Sequence, residues 1–200
     1  EKQYYENGEL LCEQHYKDGK LNGPNKHYDI NGDLIINDNY KNDLLHGTSE
    51  NYKNGILTVE TNYKEGLRDG THKEYNESFK TLSVWRNYKL GKLHGDQITY
   101  YFNQLIERKD EYKNDVLIGS KMYYDFVSDI SSGEKDKEGN EITKKGQPLG
   151  EEMIYDINGD KKYYKQYHPN EQLKLQINYK DKKIISKKCW DEDGNEIKCK

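Results

Sequence analysis

The sequence predicts an all-β fold, an elongated single-layer antiparallel β-meander built from β-hairpins that repeat about every 24 residues. Three observations predict it. Tyr5, Tyr16, Tyr28, Tyr40, Tyr52, Tyr63, Tyr75, Tyr88, Tyr100, Tyr112 and Tyr124 follow one another at intervals of 11 to 13 residues, and the beat resumes at Tyr155, Tyr167 and Tyr179, with Trp190 in the next slot. Glycine-bearing turn signals run in step with these aromatics. Finally, Leu, Ile, Val and Phe make up only 38 of 200 residues, too few for a large closed core and at the edge of what a folded chain needs. Nineteen tyrosines, each an apolar ring with a water-tolerant hydroxyl, and a net charge of only −4 favour folding.

The elements follow in order along the chain. "YENG" at 5, "YKDG" at 16, "YDING" at 28, "YKNG" at 52, "YKEG" at 63 and "YDING" at 155 place Asn-Gly, Asp-Gly or Glu-Gly where a tight hairpin turn needs positive φ. After each turn comes a short apolar group, such as Leu34-Ile35-Ile36 or Leu44-Leu45, then polar residues and the next tyrosine. One strand and one turn thus make a unit, and alternate units differ. One type reads Y-K-x-G-x-L-x-G and closes on Gly23, Gly47, Gly70, Gly95 and Gly119; the other carries the plainer Y-x-N-G turn. Asp43, Asp115 and Glu171 stand where a turn glycine is expected and adopt positive φ less readily. Strands joined by such short turns are sequential antiparallel neighbours.

The repeated Y-K-N-G and L-x-G units, followed by tyrosine and a plain N-G turn, resemble the MORN repeat, specifically the bacterial variant found in antitoxin-like proteins. The resemblance runs from about residue 3 to residue 197. It implies a string of β-hairpins in one long twisted sheet, with protein or lipid binding as its role. Residues 1–124 are read as regular hairpin repeats, 125–150 as an irregular repeat with an inserted loop, and 151–200 as C-terminal repeats with a capping hairpin. Thr143 stands where a tyrosine is due. The Ser-, Gly-, Lys- and Glu-rich stretch 129–141 reads as a protruding loop or an extended hairpin. Beyond it the alternation slips, since 155 and 167 both open plain-type turns.

Chemistry is sparse. A three-residue loop at Asp193, Gly194 and Asn195 would bring Cys189 and Cys199 opposite one another, leaving open a cross-strand disulfide or two thiols on a terminal hairpin. No C-x-x-C occurs, and Cys12 lies far away, so no zinc site is expected. His15, His27, His46, His72, His94 and His168 form no ligand pattern and read as repeat-position histidines on a half-wet sheet. "DINGD" at 29 and 156 and "DEDGNE" at 191 look like calcium loops but lack the distal bidentate Glu: counting from Asp29, the twelfth position is Tyr40. No nucleophile elbow, phosphate loop or Cys-His signature is present, so neither catalytic residues nor a cofactor are expected.

What remains is the tyrosine ladder, and Tyr16, Tyr40, Tyr63, Tyr88, Tyr112 and Tyr179 are the candidate partner-binding residues. Such tyrosines cover the sheet and stack on neighbours. A single layer cannot bury both faces, however, and half-exposed tyrosine beside charge is interface chemistry. Base stacking on nucleic acid is disfavoured by the 36 acidic against 32 basic residues. No apolar run is long enough to span a bilayer. The expected activity is therefore that of a non-catalytic protein-binding scaffold, in one of two versions. One is an antitoxin or immunity-type protein that occludes the surface of a toxin or effector in the cytoplasm. The other is an exported or surface-attached module contacting envelope or host proteins, with a removed leader and a disulfide between Cys189 and Cys199. The Lys-, Asn-, Ile- and Tyr-rich composition points to an AT-rich bacterial genome in either case. Exposed edge strands leave an edge-mediated homodimer open.

Overall fold

A computed structural model describes residues 1–135 and 141–199. It is all-β and antiparallel, with no helix among the described residues, and divides into two compact units, Glu1–Gly95 and Asp96–Lys200. The first unit is a meander of β1 (Lys2–Tyr4), β2 (Leu10–Lys17), β3 (Lys20–Tyr28), β4 (Leu34–Lys41), β5 (Leu44–Leu45), β6 (Gly47–Lys53), β7 (Ile56–Lys64), β8 (Leu67–Asn76) and β9 (Thr81–Lys89), each hydrogen-bonded to its sequence neighbour except where β6 takes its place beside β4. Strand β10 (Lys92–Tyr100) crosses the unit boundary. The second unit continues with β11 (Ile106–Lys113), β12 (Val116–Tyr123), β13 (Ser128–Lys135), β14 (Glu141–Gly146), β15 (Leu149–Tyr155), β16 (Lys161–Tyr167), β17 (Leu173–Lys180), β18 (Lys183–Trp190) and β19 (Glu196–Ile197). Here β12 pairs with β15, and β13 and β14 form a separate two-stranded hairpin between them.

Two kinds of turn build these hairpins. In the first, two consecutive residues have positive φ: Asp18-Gly19, Asn42-Asp43, Asn54-Gly55, Glu65-Gly66, Leu90-Gly91, Asn114-Asp115 and Asp181-Lys182. This is the mirror-image turn whose twist matches that of paired strands. In the second, a type I turn closes on one left-handed residue, as where Gly8 N donates to Tyr5 O (3.0 Å) and Tyr5 N to Glu9 O (2.8 Å). The same pair of bonds recurs at 29–33, 101–105, 156–160, 168–172 and 191–195. Asp43, Asp115 and Glu171 adopt φ of 68°, 70° and 64°. Asp43 gains a compensating contact, because its carboxylate accepts from Leu21 N at 2.8 Å across adjacent turns.

Strand register shifts just before many tyrosines, as at Asn51/Tyr52 and Thr61/Tyr63, so these tyrosines sit at β-bulges. The glycines that close the longer units lie opposite the next unit's tyrosine: Gly23 faces Tyr40, Gly47 faces Tyr63 and Gly70 faces Tyr88. Gly70, at φ 105°, has no room for more, since a Cβ there would stand 3.3 Å from Asn62 Cβ. Beside it Asn62 Nδ2 donates to Thr71 Oγ1 (2.8 Å), while Asn39 Nδ2 donates to Thr48 O (2.9 Å) and His15 Nδ1 meets Pro24 O (2.8 Å) at the equivalent hairpins.

Burial is thin, as the composition requires. Among the described residues the buried apolar side chains are Cys12 and Pro148, while Asn25, Thr61, His72, Asp110 and Ser120 are buried polar groups. The insertion holds strands at 128–135 and 141–146, and residues 136–140 lie outside the described ones. Thr143 falls in β14, which pairs with β13 and not with the main meander. Where the hairpin leaves the sheet, the Gln147 side chain substitutes for a missing strand. It accepts from Ile106 N (2.9 Å) and donates to Ile106 O and to Tyr124 O (2.7 Å). The terminal hairpin has a different register from the one its loop suggests. Cys189 lies opposite Ile197, because Asp191 Oδ1 accepts from Asp193 N and Asn195 N and draws residue 191 into the turn.

Candidate functional site

Register assigns the two tyrosine classes of the first unit to opposite faces. Asp38 pairs with Asn25 and Asn37 with Glu50; as neighbours on β4, Asn37 and Asp38 point to opposite sides. Tyr40 lies with Asn25, Asp38 and Tyr63 on the first side. Tyr52 lies on the second, its hydroxyl donating to Glu50 Oε2 at 3.0 Å. The candidate residues Tyr16, Tyr40, Tyr63 and Tyr88 share the first side. Tyr16 is 47% exposed and donates to Gln14 Oε1 (3.0 Å), a residue in register with Asn25. Tyr40, Tyr63 and Tyr88 are half-buried. Arg68 sits between the last two, 5.3 Å from the centroid of the Tyr88 ring and hydrogen-bonded to the Tyr88 hydroxyl at 3.4 Å. Its hydrogen bond with Tyr63 is the main reason the guanidinium is held even more firmly protonated than usual.

The floor beside these rings is polar. His72, 6% exposed, packs edge-on against Tyr88 at 6.0 Å between centroids. Its Nε2 lies 3.0 Å from Glu74 Oε1 and its Nδ1 2.8 Å from Thr61 Oγ1, and Arg86 donates to the same Glu74 oxygen. A carboxylate only accepts, so Nε2 carries a hydrogen, and in the neutral ring Nδ1 then accepts the Thr61 hydroxyl proton. Burial alone would raise the Glu74 carboxyl; the His72 hydrogen bond and Arg86 outweigh it and hold the group below its ordinary range. Although Thr, His and Glu are the residue types of a nucleophilic triad, Thr61 is 4% exposed, so its hydroxyl is shut away from any substrate.

In the second unit the candidates Tyr112 and Tyr179 are half-buried, and two further tyrosines join them, Tyr155, which lies on the repeat spacing, and Tyr164, which lies off it. Arg108 lies near Tyr112 and Tyr155 and donates to the buried Asp110 carboxylate (2.7 Å). Asp110 pairs with Ser120, Ser120 with Met153 and Met153 with Tyr164, which neighbours Tyr179. Tyr112, Tyr155, Tyr164 and Tyr179 therefore share a face. The doublet Tyr163-Tyr164 hid this, because in a strand one of two adjacent tyrosines must point each way. Burial, with Glu151 nearby, pushes the Tyr164 hydroxyl up to about 12, and burial with Glu152 does the same for Tyr167. Burial also raises Tyr40, Tyr52, Tyr101 and Tyr163. These hydroxyls stay neutral donors at neutral pH.

The opposite face of the second unit has a cavity of about 340 Å³ over Gly119. Its lysines are neutralised locally, Lys109 by Asp96 at 2.7 Å and Lys121 by Glu152 at 3.4 Å. Cys189 and Cys199 form a disulfide with Cα atoms 5.3 Å apart, and Cys12 is a buried thiol. Among the described residues no helix is long and apolar enough to cross a membrane.

Alternating hairpins, bulged tyrosines and facing glycines define a β-hairpin repeat protein. Two segments, residues 1–18 and 162–181, match the family model described as a MORN repeat variant. No curated protein matches the chain significantly.

Proposed function

We propose that this chain is a non-catalytic protein-binding scaffold that occludes its partner's surface through the tyrosine face, in the manner of an antitoxin or immunity protein. One observation carries the reading: Tyr16, Tyr40, Tyr63 and Tyr88 line one face of the first unit, half-covered, beside the hydrogen-bonded polar groups Thr61, His72 and Glu74. Amphipathic rings held by bulges and by Arg68 lose little side-chain freedom on binding, which is why tyrosine and arginine dominate interface energetics. The match of two segments to the MORN repeat variant favours a binding module over an enzyme.

The disulfide favours a second version of the same role, an exported or surface module, since such bonds persist in oxidising compartments. Coexpression separates the two. A protein captured by the full chain, toxic when expressed alone and neutralised by the wild type but not by Tyr40→Ala/Tyr63→Ala, establishes the occluding role. Recovery of envelope proteins alone favours the exported version. Equal capture by wild type and a folded double variant refutes the tyrosine face as the binding surface.

A further inference from the structure

Five Asn-Gly pairs occur in the chain, beginning at 7, 22, 31, 54 and 158. Asparagine before glycine can lose ammonia without an enzyme, because glycine, lacking Cβ, lets its backbone nitrogen reach the preceding side-chain amide. The reaction needs that nitrogen clear of a hydrogen bond and the amide able to turn. The fold withholds one or both at four of the pairs. Gly8 N donates to Tyr5 O, Gly32 N to Asp29 O and Gly159 N to Asp156 O, each at 3.0 Å, inside turns that close on one left-handed glycine. Asn7 Nδ2 also donates to Ile30 O (3.1 Å), and Asn31 Nδ2 to Asp29 Oδ2 (3.4 Å). The pair Asn22-Gly23 lies within β3, where Gly23 faces Tyr40 and Asn22 Nδ2 donates to Asn42 Oδ1 at 3.4 Å.

Asn54-Gly55 is different. It is the two-residue turn between β6 and β7, with φ of 50° and 71° and with Lys53 paired to Ile56. In a mirror-image turn of this kind the hydrogen bonds run between the flanking residues, so the central N–H groups point away from the sheet. Among the described residues neither the Gly55 nitrogen nor the Asn54 side chain has a hydrogen-bond partner. Both residues are exposed, and a Cβ built on Gly55 would meet nothing within 4 Å. No neighbour therefore blocks the rotation that brings Asn54 Cγ to the nitrogen. Asn42 opens an equivalent turn, but the next residue is Asp43, whose side chain crowds the approach and whose nitrogen donates to Leu21 O at 3.0 Å.

We propose that Asn54 is the site at which the folded chain deamidates, a modification that does not depend on the tyrosine face. Gly55 N, its proton given to hydroxide, bonds to Asn54 Cγ; the Cγ–Nδ2 bond breaks, and ammonia leaves with a proton from water. Water then opens the resulting succinimide at either carbonyl carbon, with no change of oxidation state. Opening at Cγ leaves an ordinary aspartate, which the turn accepts, since Asp18 and Asp181 fill the same position at φ 50° and 51°. Opening at the backbone carbonyl routes the main chain through Cβ, which lengthens the turn and breaks the pairing of Lys53 with Ile56. Either product sets a new carboxylate beside Lys53, which already meets Glu77 at 2.8 Å. The test is peptide mass mapping of the full chain during incubation in mildly alkaline buffer, folded and in urea. In urea all five pairs should react. In the folded chain Asn54 should react roughly fivefold or more faster than each of the other four, because a hydrogen bond of ordinary strength must open there first. Two products, aspartate and isoaspartate, should separate chromatographically. Asn54→Asp, which has no ammonia to lose, should abolish the change in that peptide and keep the wild-type circular dichroism. Folded-state reaction at another Asn-Gly pair as fast as at Asn54, or an Asn54 that stays intact in the folded chain while it reacts in urea, would overturn the proposal.

Discussion

His72 illustrates how single residues stabilise a sheet with so little apolar cover. Both ring nitrogens are engaged, Nδ1 by Thr61 and Nε2 by Glu74, and the ring edge rests on Tyr88. A buried polar group in this state costs little, whereas one that loses its partner bears the full desolvation cost. Thr61→Val keeps shape and removes the hydroxyl, leaving Nδ1 buried without its donor. It should destabilise the chain by roughly 1–3 kcal/mol in urea unfolding at neutral pH. A loss below a few tenths would show that water replaces the hydroxyl. None of this was legible from the sequence, where the six histidines read as repeat positions on a half-wet sheet. Whether Thr61 and His72 meet depends on the register of β7 and β8, and spacing along one strand does not carry register to its neighbour.

At the scale of hairpins the sequence was far more legible, because tight turns have local causes. The glycine and Asn-Gly signals marked real turns, and Asp43, Asp115 and Glu171 adopt the left-handed conformation their positions demand. Less legible were the β13–β14 hairpin, which the composition of 129–141 left as loop or hairpin, and the terminal register, which the capping carboxylate of Asp191 shifts. The turns also expose a local conflict. Leu90 occupies the first left-handed position of its turn at φ 51° and is 65% exposed, whereas Asp18, Asn42, Asn54, Asn114 and Asp181, together with Glu65, fill the equivalent sites. A non-glycine residue there costs roughly 1–2 kcal/mol, and Asn or Asp loses less than Leu because its side chain bonds the local backbone. Leu90→Asn should therefore stabilise the chain by about 1 kcal/mol. The hydrogen bond from Leu90 N to Asp69 is a backbone contact and survives the change. A lower midpoint in urea would instead mean that the exposed leucine packs on its neighbours.

For the whole molecule, the scarcity of aliphatic residues transfers stabilisation to tyrosine, and this has a consequence in alkali. Every tyrosine with a displaced titration is displaced upward, in each case first by burial. Tyr164 and Tyr167 reach about 12, and Tyr40, Tyr52, Tyr101 and Tyr163 move the same way. In the unfolded chain these hydroxyls lose their protons near 10. Between that value and the folded one the unfolded state binds fewer protons than the native state, so stability falls as pH rises. The contribution is fully present below about pH 10 and is lost progressively toward 12. Phenolate absorbance and circular dichroism followed through an alkaline titration should thus move together. The half-buried Tyr164 and Tyr167 should ionise in one cooperative step with loss of the sheet. Tyr164→Phe/Tyr167→Phe should shift that step to higher pH, because two groups that favour unfolding by ionising are gone. If all nineteen tyrosines instead titrate smoothly near 10 with the sheet intact, the rings do not carry the burial, and the sheet must be stabilised mainly by its turns and backbone ladder.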